Sequence, residues 1–203
     1  DPIPEETGGP YPGDGTNGVN VLTESGIVRS DLRSSFGAFS GTAAGIDTTV
    51  TLRVLDAATG SARAGAAVYL WHADRDGLYS LYTKPDQNYL RGVQEAGSDG
   101  SVTFTPAFPG AYDGRWPHMH FEVYPTLAEA TAAGTPVRTS QLAVPEDTCD
   151  LVYATEGYEQ SASNMARTTL ASDMVFSDGA QLQLPTVTGS VSKGFALALD
   201  VPV

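Results

Sequence analysis

Residues 112–124 read Tyr112-Asp113-Gly114-Arg115-Trp116-Pro117-His118-Met119-His120-Phe121-Glu122-Val123-Tyr124 and contain two of the three histidines of the chain. From His118 onward the residues alternate as in a β-strand, so His118, His120 and Glu122 project from one face. The intervening residues are apolar and project from the other face. The stretch therefore predicts a strand with one apolar face and one face that carries histidines.

Two interpretations of this strand are open. Two imidazoles at positions i and i+2 of one strand lie close enough to bind the same metal ion. Pro117, directly before them, suits the first position of a strand. The same pattern also fits two ordinary surface histidines on an exposed strand face. Residues elsewhere in the chain have to decide between a metal site and a polar surface.

Composition limits the classes of partner. The 203 residues suffice for one domain with its own core. Eleven basic and 24 acidic residues give a net charge of −13, which repels phosphate backbones and argues against nucleic acid as a partner. No apolar run approaches the roughly 20 residues of a membrane span, so we expect no membrane partner.

Residue usage also predicts the compartment. Lys84 and Lys193 are the only lysines in a chain rich in Gly, Thr, Ser and Ala, and the chain begins at Asp1. These features predict a processed, secreted protein. Cys149 is the single cysteine and allows no internal disulfide, so we expect a buried, small apolar side chain without a catalytic role.

The order of the elements predicts a mainly β fold. Residues 1–30 are rich in Gly and Pro and predict an extended arm, and residues 31–203 predict a single domain. Alternating or β-rich segments predict strands at 48–56, 66–73, 89–94, 102–105, 118–124, 138–144 and 195–201. A capping box at Thr126 predicts a short helix, and one or two more lie between 145 and 167. We therefore expect an antiparallel β-sandwich with a few short helices.

Two tyrosines are candidates for further metal ligands, because two histidines do not complete a site. Tyr79 follows the second predicted strand, and Tyr112 precedes the histidines beside a Pro-Gly turn that can aim its phenol at their face. A phenol has a pKa of about 10 and ionises at neutral pH only beside a strong Lewis acid. Two tyrosinates and one hydroxide balance three positive charges. A set of two tyrosines and two histidines therefore favours non-haem Fe(III) over Zn(II).

A series of motifs in a fixed order spans roughly residues 45–145. The motifs are Gly65-Ala66, Trp71-His72-Ala73-Asp74, Gly77-Leu78-Tyr79-Ser80, Leu90-Arg91-Gly92, Asp99-Gly100, Pro109-Gly110-Ala111-Tyr112 and Arg115-Trp116-Pro117-His118-Met119-His120-Phe121. In this order they resemble the intradiol ring-cleavage dioxygenases, the family of catechol and protocatechuate dioxygenases. The chain is similar to the secreted actinobacterial and fungal branch of that family.

The resemblance assigns a role to each metal ligand. It implies that Tyr79 is the tyrosinate that stays bound to iron and that Tyr112 is the axial tyrosinate that leaves when substrate arrives. His118 and His120 are then the two neutral ligands.

The resemblance also implies residues beside the substrate. Arg115 matches an arginine that stabilises negative charge on the substrate ring, and Gln141 matches a glutamine near that position. His72 matches a motif residue that is not a ligand, and we expect it to occupy a core or supporting position.

The implied activity is that of an oxidoreductase. It cleaves catechols between the two hydroxylated carbons with O2 and yields cis,cis-muconates. The partners are then a small aromatic diol and O2, together with a plant polymer reached through a domain outside this chain. The connection from Tyr112 to His118 is shorter than in catechol dioxygenases, which predicts a more open cleft that admits bulkier, plant-derived catechols.

Two other classes of protein compete with this interpretation. Turn residues such as Asp99-Gly100 and Pro109-Gly110 also occur in transthyretin-like and adhesin-like β-sandwiches, which are binding modules without a metal. Such modules do not require Tyr79, Arg115 and the two histidines together. A zinc or copper site of another class would need His72 or Glu122 as a further ligand.

Overall fold

The structure, a computed structural model, describes residues 1–132 and 134–203. Within this part of the chain, eight strands and three short helices are present. The strands are β1 (Thr48–Leu55), β2 (Ala67–Trp71), β3 (Arg91–Glu95), β4 (Ser101–Phe104), β5 (His118–Tyr124), β6 (Arg138–Ala143), β7 (Thr186–Ser190) and β8 (Gly194–Pro202). The helices are α1 (Leu127–Thr131), α2 (Glu146–Tyr153) and α3 (Glu159–Met165).

The strands form two four-stranded sheets in the orders β4-β1-β8-β7 and β3-β2-β5-β6. The predicted mainly β sandwich with short helices is confirmed. One pairing departs from the antiparallel expectation, because β1 and β8 run parallel, with Val50 opposite Leu197. A short hairpin forces antiparallel pairing, whereas the long connection from β1 to β8 permits either direction.

The core lies between the two sheets. On β1, Val50, Leu52 and Val54 are buried and alternate with more exposed neighbours, as a half-buried strand requires. The apolar side of β5 packs into the same cluster, and so does the apolar side of β8. Cys149 on α2 is also buried in this cluster. The sandwich core therefore holds the apolar side of the histidine strand.

The outer face of the second sheet is buried by the N-terminal part of the chain. The aromatic side chains of Tyr69 and Trp71 lie in a second cluster with Val21, Leu22 and Ile27. Part of the predicted arm, from Tyr11 to Ile27, thus lies along the outer face of this sheet, whereas Ile3 at its start is buried in the sandwich core. As a result, every residue of β2 and β5 is buried, although a two-layer sandwich alone would expose one face.

Strand β7 was not predicted from the sequence. Its five residues are mostly exposed and include Gly189, so no apolar alternation marks it. Its strand conformation comes from pairing with β8 at the edge of the sheet.

The predicted short helices are present as α1, α2 and α3. Thr126 caps α1, because its side chain accepts a hydrogen bond from the Glu129 N–H. No helix in the described part of the chain is long and apolar enough to span a membrane.

Truncating the centre of β1 tests the core. We expect Leu52→Ala to lower the free energy of unfolding by about 2 to 5 kcal/mol, because it leaves a cavity between the sheets. Thr49→Ala, at an exposed position on the outer face of the same strand, is the matched control and should change it by about 0.5 kcal/mol or less. Urea unfolding measures both values. Equal losses in the two variants would contradict this placement of the core.

Candidate metal centre

Strand β5 brings the two histidines to one point. His120 lies opposite Trp71 of β2 and opposite Gln141 of β6. The Nε2 atoms of His118 and His120 are 3.0 Å apart, and the two residues are 3% and 1% exposed. Two buried rings whose nitrogens converge do not fit ordinary surface histidines, so the polar-surface interpretation is wrong.

Two loops bring the tyrosines to the same point. The Tyr112 hydroxyl lies 3.5 Å from Nε2 of His118. The ring of Tyr79 lies 5.6 Å from the ring of Tyr112 and 6.2 Å from that of His120. The Tyr79 hydroxyl is buried and has no hydrogen-bond partner among the described residues. The structure therefore brings together all four side chains that were predicted as metal ligands.

A tight turn allows the two tyrosine loops to approach each other. One carboxylate oxygen of Asp74 accepts the N–H groups of Asp76 and Leu78, both at 3.0 Å, and closes a turn just before the first tyrosine. Gly77 in this turn has φ +81°, and a Cβ there would lie 2.5 Å from the carbonyl oxygen of Ala111. Glycine is needed here because a side chain would push the two loops apart.

The two imidazoles are neutral and can act as ligands. Burial, and next the Arg115 cation, lower the pKa of His118 to about 3. Burial also lowers the pKa of His120 well below its usual value. Nδ1 of His118 lies 2.5 Å from the carbonyl oxygen of Trp116, which holds the proton on Nδ1 and leaves the Nε2 lone pair free.

The two phenols need a strong Lewis acid to ionise. Burial, and next the neighbouring Tyr112, raise the pKa of Tyr79 well above its usual value. Burial raises the pKa of Tyr112 as well, against the lowering effect of Arg115. The described residues hold no cluster of three or more His, Cys, Asp or Glu side chains that could bind a metal, so a metal here depends on tyrosine. Two phenols and two neutral imidazoles fit a trivalent ion better than a divalent one.

Arg115 is held so that one of its nitrogens faces the centre. Its Nε donates to Oδ1 of Asp173 at 2.8 Å and its Nη2 donates to Oδ2 at 3.3 Å. Nη2 also donates to Oε1 of Gln141 at 2.6 Å. The remaining nitrogen, Nη1, lies 3.5 Å from Nε2 of His118. Arg115 and Gln141, both predicted near the substrate, thus lie beside the candidate ligands.

Asp173 is a buried partner that the sequence analysis missed. Besides Arg115, its carboxylate accepts the backbone N–H groups of Trp116, Val175 and Phe176 at 2.7, 2.9 and 3.1 Å. Burial acts to raise its pKa, but the hydrogen bonds from Arg115 and Trp116 outweigh burial, so the pKa of Asp173 lies below its usual value. The irregular segment around it carries no periodic pattern that would have marked it.

The N-terminal arm covers the His120 side of the centre. The Thr7 carbonyl oxygen accepts a hydrogen bond from Nε2 of Gln141 at 2.9 Å. A Cβ at Gly9 would lie 3.3 Å from Cε1 of His120. The short connection before the histidines predicted a more open cleft. On this side the structure differs, because the arm takes the place of a covering loop.

His72 occupies a buried position directly after β2. It is buried, its Nδ1 lies 2.7 Å from the carbonyl oxygen of Ala73, and burial lowers its pKa to about 4. Trp71, its neighbour in the chain, faces the centre instead and stacks on His120 with ring centroids 4.9 Å apart. Strand alternation directs His72 away from that side, as expected for a residue that is not a ligand.

Solved structures of known proteins share the fold of this chain. No protein-family model and no curated protein matches the sequence, but solved structures match over its whole length. An intradiol ring-cleavage dioxygenase from Tetranychus urticae shares 26% identity with a TM-score of 0.76, over 100% of this chain and 94% of that one. The dioxygenase domain of a dioxygenase carbohydrate-binding protein fusion from Streptomyces sp. SirexAA-E shares 23% identity with a TM-score of 0.64, over 100% and 98% of the two chains.

A more distant match shows the fold alone. Hydroxyquinol 1,2-dioxygenase from Pseudomonas putida DLL-E4 shares 16% identity with a TM-score of 0.60, over 100% of this chain and 66% of that one. Together the matches confirm the resemblance to intradiol ring-cleavage dioxygenases that the motifs indicated. The prediction of an oxidoreductase of this kind is confirmed with it.

Glu122 makes the stability of the protein depend on pH. It accepts a hydrogen bond from the Tyr124 hydroxyl at 2.5 Å, and burial, followed by Asp14, raises its pKa from 4.5 to about 9. The folded protein binds this proton more tightly than the unfolded chain does. The protonated Glu122 carboxyl therefore contributes fully to the free energy of unfolding below pH 4.5, and this contribution is lost as the pH rises towards 9. Glu122→Gln should therefore lose less stability than wild type over this range.

Thermal unfolding at several pH values measures the difference. Glu129→Gln removes an exposed carboxylate on α1 and is the matched control, which should follow the wild-type profile. Parallel profiles for wild type and Glu122→Gln would show that this carboxyl is not protonated in the folded protein.

Asp173→Ala tests the pairing of Arg115. The substitution leaves a buried guanidinium without its carboxylate, so we expect a loss of about 3 to 5 kcal/mol in the free energy of unfolding. Asp113→Ala removes the acidic partner of Arg167 in an exposed ion pair, with side chains 70% and 54% exposed. In this control, urea unfolding should show a loss of about 1 kcal/mol or less in the free energy of unfolding. A similarly small loss for Asp173→Ala would contradict a buried, structurally required pair.

Proposed function

We propose that this chain is a non-haem Fe(III) dioxygenase that cleaves catechols between the two hydroxylated carbons and yields cis,cis-muconates. The observation that carries the proposal is the convergence of Tyr79, Tyr112, His118 and His120 on one buried point. The phenol of Tyr79 is buried there without a hydrogen-bond partner in the described structure. A buried hydroxyl without a partner is costly, and a bound cation would supply the missing interaction.

The donor set supports ferric iron. Two imidazoles at neutral charge and two phenols would hold the ion, and a trivalent cation lowers the pKa of a phenol far more than a divalent one does. When bound, ferric iron would supply the Lewis acidity that ionises the phenols and a chelating catechol, and would activate the diol towards O2. Both oxygen atoms of O2 enter the product, so the reaction needs no other reductant.

The two tyrosines differ in a way that matches distinct roles. Tyr79 is 2% exposed and is enclosed by its loop, whereas Tyr112 is only partly buried. We assign Tyr79 as the ligand that stays in place. Tyr112 is the ligand that can rotate away and accept a proton from an incoming catechol at its phenol oxygen.

Arg115 and Gln141 act on the substrate side of the centre. Nη1 of Arg115 faces the candidate ligands, while its other nitrogens are engaged by Asp173 and Gln141. We assign to Nη1 the stabilisation of negative charge that develops on the ring as the diol is attacked. Gln141 uses its amide oxygen for Arg115 and its amide nitrogen for Thr7, so we assign it the positioning of Arg115.

We further propose that the substrates are plant-derived catechols and that the protein acts outside the cell. The neighbour from a cellulolytic Streptomyces is a dioxygenase fused to a carbohydrate-binding protein, which supports a plant-polymer setting. The low lysine content and the strongly acidic composition are compatible with secretion. Fractionation of the native host, with detection of the protein in the culture fluid or in the cells, tests the location.

Iron content and colour test the metal. Protein purified after iron-replete expression should contain about one iron per chain and should absorb visible light through tyrosinate-to-iron charge transfer. Tyr79→Phe should lose or shift this band because it removes one tyrosinate. Tyr153→Phe is the matched control, since it removes a buried phenol that donates to the Pro109 carbonyl and should leave the band unchanged. A colourless, iron-free wild-type protein would contradict the proposal and favour a metal-free binding module.

Oxygen uptake with catechol tests the activity. Mass spectrometry should find both atoms of labelled O2 in a muconate product. The double variant Arg115→Met with Asp173→Asn removes both charges of the buried pair, so it avoids an unpaired carboxylate. Asn keeps an amide oxygen that can accept from the backbone N–H groups around Trp116 and Val175. We expect this variant to keep its iron and to turn over about 10²- to 10³-fold more slowly, as for the loss of one charge-stabilising donor. Turnover at the wild-type rate would show that Arg115 has no role in catalysis.

A further inference from the structure

Arg91, at the start of β3, is a buried cation that the proposed reaction does not use. It is 1% exposed, and the hydrogen bonds that the structure describes for it all go to neutral oxygen atoms. A guanidinium carries five N–H donors in a rigid planar fork, so one arginine can hold separate segments of chain in a fixed relation. Arg91 holds two such segments.

The first segment is the loop that carries Tyr79. Nε of Arg91 donates to the hydroxyl of Ser80 and Nη2 donates to the carbonyl oxygen of Ser80, both at 3.0 Å. Leu81, two residues after Tyr79, and Leu90, directly before Arg91, have φ values of 68° and 58°. Non-glycine residues adopt this backbone region only where their surroundings hold them there. The loop conformation therefore depends on contacts such as those of Arg91.

The second segment is the N-terminal arm. Nη1 of Arg91 donates to the carbonyl oxygen of Pro12 at 3.0 Å, and Nη2 donates to that of Tyr11 at 2.8 Å. The Tyr69 hydroxyl accepts from Nη1 at 2.9 Å and donates to the same Pro12 carbonyl at 2.7 Å. The arm is thus held at backbone atoms, by a contact that does not depend on the identity of its side chains.

The arm in turn reaches the metal centre. The ring of Tyr11 lies 5.2 Å from that of Tyr79. Two residues earlier, the backbone at Gly9 lies against the ring of His120. A change in the position of the arm would therefore act on two of the four candidate ligands, Tyr79 and His120.

We propose that Arg91 is a positioning residue of the metal centre. Its hydrogen bonds join the N-terminal arm to the Tyr79 loop, and we call this set of contacts the latch. Through the latch, the docked arm and a bound ion stabilise each other. This inference rests on the proposed function for the identity of the ion. Coupling of this kind is reciprocal: loosening the arm weakens ion binding, and ion binding protects the arm.

Gly13→Ala tests the latch from the arm side. Gly13 has φ +63°, and a Cβ there would lie 2.9 Å from Nη1 of Arg91, 3.1 Å from Cδ1 of Leu81 and 3.2 Å from the Tyr69 hydroxyl. The substitution therefore pushes the arm away from both the guanidinium and the Tyr79 loop. Gly37→Ala is the matched control, with φ +65° and no atom within 4 Å of the added Cβ, so it carries the same backbone strain without the contact. The measurements are Fe(III) affinity by titration and hydrogen exchange of the iron-free protein.

For Gly13→Ala we expect iron affinity to fall about 10- to 100-fold, as for the loss of a group that supports a metal ligand. We also expect faster hydrogen exchange in the Tyr79 loop of the iron-free protein. Gly37→Ala should change neither quantity. Arg91→Lys keeps the charge but cannot form the fork, so it should weaken iron binding and speed exchange in the arm.

The two measurements separate the failure of this inference from the failure of the proposed function. If wild-type protein binds no iron, the proposed function fails and the metal part of the inference fails with it. Unchanged exchange of the Tyr79 loop in Gly13→Ala would overturn the latch whether or not iron binds. Faster exchange in both segments with unchanged iron affinity would show a structural contact that does not position the centre.

Discussion

Both the sandwich core and the candidate metal centre depend on the burial of the two faces of β5. One face packs into the sandwich core through Met119, Phe121 and Val123. The opposite face carries His118 and His120, which a two-layer sandwich alone would leave in contact with water. Burying polar groups without partners costs roughly 1 to 3 kcal/mol each. The arm and the two tyrosine loops that cover this face therefore enclose polar atoms that a cation can satisfy.

Charge near the centre differs from that of the whole chain. The protein carries a net charge of −13, yet two buried arginines flank the candidate ligands. Arg115 is paired with Asp173 and offers one nitrogen to the centre, whereas the described hydrogen bonds of Arg91 all go to neutral oxygen atoms. In a buried environment of low dielectric constant, the Arg91 cation acts to lower the pKa of Tyr79 against the effect of burial.

Patterns local to the chain predicted most of the strands and the four candidate ligands. Alternation in 48–56, 118–124 and 138–144 marked β1, β5 and β6, because a strand buried on one face has a period of two. Strand β7 has no such period and forms only because β8 offers it an edge. The parallel pairing of β1 with β8 was likewise beyond a local pattern, since it joins segments about as far apart as the domain allows.

By itself, the sequence determined the β-sandwich, the histidine strand and the residue types of the candidate ligand set, because these follow from residue type and from spacing over a few positions. Tertiary structure alone decided which groups surround that set. The Asp173 partner of Arg115, the arm over His120 and the Arg91 latch each join segments more than 50 residues apart in the chain. Such contacts leave no local period in the sequence, because they depend on how loops cross after the sheets have formed.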